Sequence, residues 1–129
     1  MRILIADDDR DLASTLAEML GAFPFHHQVV ATVNSGIGAI RAYERHKPDV
    51  VVMDYFMAGL NGMTACRNIL AKYPAARVIL ISGAAGMDDL SIVKCGAAAI
   101  LQKPITLHDL ENALQSVLAT TGELFSGTK

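Results

Sequence analysis

Acidic residues, a hydroxyl and a lysine occur along the chain, each within two residues of the end of a short apolar run. Three consecutive aspartates, Asp7 to Asp9, follow the first run, Asp54 follows a later one, and Ser82 and Lys103 follow two more. Carboxylates gathered in one cleft repel one another unless a cation lies between them, and Mg²⁺ prefers a few such oxygens and shares phosphate oxygens. A hydroxyl and a lysine at the same place would contact phosphoryl oxygens. Brought together, these residues predict magnesium-assisted phosphoryl transfer.

The elements that must position these residues alternate five times between strand and helix. Compact apolar runs predict strands, which we place at residues 2–6, 28–33, 50–53, 78–81 and 98–101. The continuous run before Asp54 is typical of a strand buried on both faces, so the pattern predicts a parallel α/β sheet with helices on both sides. Ligands bind such sheets beyond the carboxyl ends of the strands. We therefore expect Asp7, Asp8, Asp54, Ser82 and Lys103 to meet there.

Helical periodicity and capping residues define the helices between the strands. We expect the first two helices to pack through large apolar residues, namely Leu12, Leu16, Met19 and Leu20 in the first and Ile37, Ile40 and Tyr43 in the second. Asp9 is predicted to cap the first helix, and Thr106 with Asp109 to form a capping box on the last. A weaker helix is predicted at about 87–95, with Gly96 as its left-handed terminator.

Composition narrows the class of protein. With 129 residues, 52% of them hydrophobic, the chain has the size and core of one domain. It has no run of apolar residues long enough to span a membrane and no cleavable leader, so a soluble cytoplasmic protein is expected. A formal net charge of −2 without a basic run argues against direct nucleic-acid binding by this domain.

The histidines and cysteines are predicted to have no part in metal binding, because they lack the spacing of a metal site. Cys66 and Cys95 are expected to be reduced thiols that face the core or its edge. His26 and His27 follow Pro24 and are expected to lie in an exposed loop.

The chain resembles the receiver domain of two-component response regulators. The resemblance covers residues 1 to about 119, and four segments carry it: the opening strand with Asp7 to Asp9, the loop from Asp54 to Gly62, Ile81-Ser82-Gly83, and Gln102-Lys103-Pro104. It implies a flavodoxin-like parallel sheet of five strands in the order 2-1-3-4-5, with five flanking helices. Residues 120–129 are predicted to be a C-terminal tail or the start of a linker.

The same resemblance implies a role for each site residue. Asp54 is the phosphoacceptor and takes its phosphoryl group from the phosphohistidine of a sensor histidine kinase or phosphotransfer protein. Asp7, Asp8, Asp54 and the backbone carbonyl of Phe56 hold Mg²⁺. Lys103 and Ser82 contact the phosphoryl oxygens, and the Lys103–Pro104 peptide bond is expected to be cis.

Three positions depart from the family pattern. Ile100 occupies the place of an aromatic residue that turns inward on activation, so the ring flip cannot operate here. Phe56 and Ala84 follow Asp54 and Ser82 by two residues, where an apolar ring and the lack of a polar group should hinder water; we hypothesise a slowly hydrolysed phosphoaspartate. Ala58 replaces a common proline, without an assigned consequence.

The output of the domain stays open at this point. Residues 29–42 and 78–82 look most like receivers that precede helix-turn-helix DNA-binding domains, and a stand-alone receiver that relays phosphate or docks on a partner is the alternative. Phosphorylation could also drive a homodimer through aliphatic residues near the last strand and helix.

Three other functions are considered. A haloacid-dehalogenase-type phosphatase would use the Asp7-x-Asp9 spacing, but it needs a further acidic pair after the lysine and leaves Asp54 without a role. A nucleotide or flavin binder is suggested by Gly36 and Gly38, but its glycine fingerprint follows the first strand. A pseudo-receiver, a protein-interaction module that accepts no phosphate, is supported by Ile100 alone.

Overall fold

The computed structural model describes residues 1–57, 59–83 and 95–127, with only the backbone over 120–127. Five strands and four helices lie in these ranges. They are β1 (Arg2–Ala6), α1 (Arg10–Gly21), β2 (Gln28–Val33), α2 (Gly36–His46), β3 (Val50–Asp54), α3 (Gly62–Lys72), β4 (Val78–Ser82), β5 (Ala99–Gln102) and α4 (Leu107–Gly127).

The strands form one parallel sheet in the order β2-β1-β3-β4-β5, which confirms the predicted fold. The helix predicted at about 87–95 lies outside the described residues. Gly96, its predicted terminator, has φ +86, in the left-handed region that glycine occupies without strain.

Helices cover both faces of the sheet, so the core has two layers. On one face, Leu4, Val51 and Leu80 pack with residues of α2 and α3. Alternate residues of the same strands pack on the other face with α1 and α4. Every residue of β3 and β4 is buried, as the unbroken apolar runs predicted. Among the described residues, no helix combines the length and apolar character needed to cross a bilayer.

The prediction of which helix residues face the core was wrong in part. Leu12 and Met19 are 47% and 44% exposed, and Ile37 is also exposed. The first helix instead packs through Ala13, Leu16, Ala17 and Leu20, at the i, i+3, i+4, i+7 spacing of one face. Alanines carry little hydrophobic weight in a sequence pattern, yet they let a helix approach the sheet closely.

His27 was predicted in an exposed loop and is instead 8% exposed, whereas His26 is exposed as expected. The His27 imidazole pairs with the carboxylate of Glu111 on α4, through Nε2. This partner explains the correction, because a polar ring is buried at acceptable cost only when its hydrogen bonds are made. The predicted thiols of Cys66 and Cys95 are both free and buried.

Candidate functional site

The strand register places the predicted site residues side by side. Ala6 pairs with Met53, so the aspartates after β1 lie next to Asp54 at the end of β3. Ser82 ends β4 and pairs with Gln102, so Lys103 follows at the neighbouring position. The carboxyl ends of parallel strands lie at the same end of the sheet. Ligands bind at this end, at the point between β1 and β3 where the strand order reverses.

Three carboxylates meet at this end of the sheet. One oxygen each of Asp7, Asp8 and Asp54 lies within 4.8 Å of the others. Asp54 is buried, Asp7 is half-buried and Asp8 is exposed, so the cluster runs from the protein interior to solvent. The predicted convergence of these residues is confirmed, while their roles stay predictions.

Lys103 supplies the positive charge of the cluster. Its Nζ lies 3.1 Å from Oδ2 of Asp54. Its backbone N–H donates to the carbonyl oxygen of Ser82 at 2.7 Å, which holds the two residues together. The Lys103–Pro104 peptide bond is cis, as predicted.

The pKa of Asp7 is raised above its usual value. Burial is the largest cause, and the charges of Asp54 and Asp8 add to it. The Asp9 backbone N–H, which donates to Asp7, and the charge of Lys103 act in the opposite direction. The neighbouring carboxylates thus disfavour the charged form of Asp7 beyond the effect of its burial.

The environment of Asp54 is incomplete in a way that fits a cation. Its Oδ1 is buried and has no hydrogen-bond partner among the described residues, while Oδ2 pairs with Lys103. Such an atom costs free energy, and a bound ion that completes it is one of the recognised explanations for it in native structures. The surrounding donors are hard oxygens, which suit Mg²⁺.

Backbone contacts hold the loop that follows Asp54. Tyr55 donates its N–H to Ile81 at 2.9 Å, and the Tyr55 carbonyl accepts from Gly62 at 2.7 Å. Phe56 is exposed, and its ring makes an edge contact with Tyr55 at 4.8 Å between centroids. The carbonyl of Phe56 as a metal ligand stays a prediction.

Two glycines fit tightly against this loop, a feature that the sequence alone did not reveal. A Cβ on Gly62, the first residue of α3, would lie 2.3 Å from the carbonyl oxygen of Asp54. A Cβ on Gly36, the first residue of α2, would lie 2.5 Å from the Leu60 carbonyl oxygen. Their position after a turn was visible in the sequence, but the close approach depends on tertiary packing.

The remaining predicted residues fall in different places. Asp9 caps α1 by accepting from the Leu12 N–H at 3.1 Å, as predicted. Thr106 and Asp109 form the predicted capping box. Ile100 is 39% exposed on β5, with no aromatic ring at that position. Ala58 and Ala84 lie outside the described residues.

An open apolar groove of about 510 Å³ adjoins the cluster and accounts for the exposure of α1. Leu12 and Met19 line it from α1, Ile105 lines it from the segment that leads into α4, and Leu107 lines it from the first turn of α4. Asp7 and Lys103 also line this groove.

Comparison with known proteins agrees with the geometry. The family model described as the response regulator receiver domain matches residues 3–115. The chain is 32% identical over 117 residues to the chemotaxis protein CheY of Listeria monocytogenes serovar 1/2a, covering 89% of this chain and 96% of that protein. It spans between 29% and 59% of the length of several other curated relatives.

Solved structures are similar as well. The LuxR-family two-component response regulator of Aurantimonas sp. SI85-9A1 superposes with a TM-score of 0.85 at 28% identity, over 92% of this chain and 85% of that chain. The CheX-CheY-BeF3-Mg²⁺ complex of Borrelia burgdorferi contains a chain that matches with a TM-score of 0.81 at 27% identity, over 92% and 89%.

Proposed function

Because this chain belongs to the response regulator receiver domain family, we propose that it is a phosphoacceptor switch in which Asp54 receives a phosphoryl group from a phosphohistidine. The observation that carries the proposal is the environment of Asp54. One oxygen of this buried carboxylate pairs with Lys103, the other has no hydrogen-bond partner within the described part of the chain, and two further carboxylates lie beside it. The family consists of signalling domains rather than metabolic enzymes, which is consistent with a site where the protein itself is phosphorylated.

The transfer needs positioning and charge neutralisation more than acid–base catalysis. An oxygen of Asp54 forms a bond to phosphorus, the bond from phosphorus to the donor's imidazole nitrogen breaks, and its electron pair stays on that nitrogen. Lys103 offsets the charge of the phosphoryl oxygens, and the hydroxyl of Ser82 donates a hydrogen bond to them.

Asp7, Asp8, Asp54 and the carbonyl of Phe56 would hold Mg²⁺ in this proposal. When bound, the cation neutralises the carboxylates and the phosphoryl oxygens that approach them. The presence of BeF3 and Mg²⁺ in the similar Borrelia burgdorferi complex supports this assignment.

A protein donor, either a sensor histidine kinase or a phosphotransfer protein, is the proposed partner. The exposed Leu12 and Met19 lie in the groove beside Asp7 and Lys103, so a donor that reaches Asp54 would find apolar surface next to the site. We place the protein in the cytoplasm, where such donors carry their phosphohistidine.

Residues 1–119 are proposed as the receiver unit, with 120–129 as a tail that leads to an output domain or ends a stand-alone receiver. A DNA-binding output is proposed because residues 29–42 and 78–82 look most like receivers that precede helix-turn-helix domains. With Ile100 in place of an aromatic ring, the signal must reach the output by another route, and phosphorylation-driven dimerisation is one form it could take.

The decisive experiment is an intact-mass measurement after incubation with Mg²⁺ and acetyl phosphate. The mass of the wild type should increase by one phosphoryl group, and it should not increase when the metal is chelated. The mass of Asp54→Asn should not increase in either case. Asp49→Asn is the matched control, because Asp49 is an exposed aspartate whose Oδ2 accepts from the Arg2 N–H at 2.7 Å near the amino end of β1. It should be phosphorylated like the wild type.

Absence of phosphorylation in the wild type, even with a sensor kinase supplied, would favour the pseudo-receiver. Release of phosphate from small-molecule esters would instead favour a phosphatase.

The lifetime of the phosphoaspartate provides a second test. We propose that the apolar ring of Phe56 hinders water, so Phe56→Asn should shorten the lifetime measured by decay of the phosphorylated mass. An exposed control, Phe23→Asn in the loop before β2, should leave it unchanged. An equal lifetime in wild type and Phe56→Asn would contradict the hypothesis.

A further inference from the structure

Arg10 forms a side-chain contact between the start of α1 and the end of β2. It is the first residue of α1 and follows the three aspartates directly. In the amide orientation that satisfies both groups, the Asn34 oxygen accepts from Arg10 Nε at 2.9 Å and from Nη2 at 2.7 Å. Asn34 follows the last residue of β2, so this contact joins the start of α1 to the end of β2.

A backbone contact lies next to it. The Asp7 N–H donates to the Val33 carbonyl at 3.0 Å, so residues 7 and 10 are attached to residues 33 and 34. Asp8 and Asp9 lie between these two attachments. The Asp9 N–H donates to Oδ1 of Asp7 at 2.9 Å, which ties the loop to itself. The segment with two of the three clustered carboxylates is therefore fixed at both ends.

The charge of Arg10 is unfavourable in two respects. A cation in the first turn of a helix opposes the helix dipole, which favours anions there. Arg10 also shares a cavity of about 450 Å³ with Asp7 and Asn34, so its charge would repel a cation bound by the carboxylates. Its charge offsets part of the negative charge of the metal-free carboxylates, but that effect does not require a directed contact with Asn34. Its planar guanidinium can, however, fix geometry through paired hydrogen bonds.

We propose that Arg10 is a positioning residue, whose hydrogen bonds to Asn34 hold the loop between β1 and α1 so that Asp7 and Asp8 can bind a divalent cation. The inference rests on the proposed function only in taking the carboxylate cluster as a cation site. It does not require Asp54 to be phosphorylated.

Mg²⁺ titration by calorimetry separates positioning from charge, because the two roles predict opposite signs for Arg10→Gln. Loss of positioning weakens Mg²⁺ binding, whereas loss of a repelling charge strengthens it. Asn34→Ala keeps the charge and removes the attachment, so its Kd should rise by roughly tenfold, as for other groups that orient metal ligands. Arg45→Gln, in the last turn of α2, is the matched charge control and should bind nearly as the wild type does.

Amide hydrogen exchange measured by NMR without metal gives a second readout. The Asp9 N–H should exchange faster in Asn34→Ala, while amides in the middle of α3 keep the wild-type rate. Asn34→Asp retains an acceptor oxygen for Arg10 and should restore slow exchange at Asp9.

Unchanged exchange at Asp9, or an unchanged or lower Kd in both Asn34→Ala and Arg10→Gln, would overturn the positioning role. Faster exchange at Asp9 in a protein whose wild type binds no Mg²⁺ would support the attachment of the loop and contradict the proposed function instead.

Discussion

His27 and Asp54 are both buried ionisable residues, yet their surroundings differ. His27 precedes β2, and its ring pairs with Glu111 through Nε2 while the Met1 amino group lies 3.2 Å from Nδ1. Asp54 ends β3, at the opposite end of the strands, and one of its oxygens is buried with no hydrogen-bond partner in the ranges that the structure describes. Two further carboxylates lie beside it, with Lys103 as its ion-pair partner.

The difference separates polar burial that stabilises the fold from polar burial that prepares a site. A buried pair with its hydrogen bonds made adds little net stability, but the loss of one partner is expensive. A cluster that lacks part of its compensation lowers stability until a ligand arrives, and such strain is typical of functional sites. Removing the carboxylate of Glu111 should therefore lower the stability of the protein. Removing a carboxylate from the cluster should instead relieve repulsion in the metal-free protein.

The largest expected effect comes from breaking the pair of His27 and Glu111. Glu111→Ala should lower the free energy of unfolding by about 3 kcal/mol, because it leaves the His27 ring buried without its acceptor. Urea denaturation would measure the loss as a lower midpoint at an unchanged slope.

The control for this variant is Glu44→Ala, which removes the exposed ion pair of Glu44 with Lys72. It should barely change the midpoint, since exposed pairs contribute little. Equal midpoints for Glu111→Ala and wild type would show that the buried pair does not stabilise the fold.

A smaller loss of stability is expected from Gly62→Ala, near the carboxyl end of β3. The added methyl group would lie 2.3 Å from the Asp54 carbonyl oxygen, so backbone must shift, at a cost of about 2 kcal/mol. Phosphorylation of Asp54 should slow as well. In Gly21→Ala, at the end of α1, the added Cβ would lie 3.6 Å from its nearest neighbour, the His27 carbonyl oxygen. That variant should be as stable as the wild type, and an equal loss in both variants would contradict the packing explanation.

The smallest expected effect is a change in stability with pH and with Mg²⁺. The pKa of Asp7 is raised in the folded protein, so the folded state holds its proton to higher pH than the unfolded state does. The stability associated with that proton is present below the usual pKa of 3.8 and is lost as pH rises through the raised value.

Metal-free wild type should accordingly lose stability across this range, and Asp7→Asn should lose less. Denaturation at several pH values with a chelator would measure it. Mg²⁺ should restore stability to the wild type at neutral pH, and a parallel pH response in both proteins would remove Asp7 as its source.

Much of the fold follows from local patterns that tertiary contacts did not override. The apolar runs of β3 and β4 predicted buried central strands, and the acidic residues after β1 and β3 predicted the cluster. Asp9, Thr106 and Asp109 were recognised as caps because capping depends on neighbours only a few residues away.

The errors share a physical cause, which is dependence on distant partners. The burial of His27 depends on Glu111, 84 residues further along the chain. The inward face of α1 is set by how closely Ala13 and Ala17 approach the sheet, which periodicity of large residues does not register. Likewise, the contact of Arg10 with Asn34 exists only because β1 and β2 are neighbours in the sheet.

The tight fit of Gly36 and Gly62 has a mechanical consequence. The carbonyl oxygens of Leu60 and Asp54 lie against the first residues of α2 and α3, respectively, with less clearance than one methyl group needs. A shift of either carbonyl toward its helix would therefore press on that helix, because no free space separates them. The stiffness of this junction offers the chain a way to carry a change at Asp54 to its surface without any rotating ring.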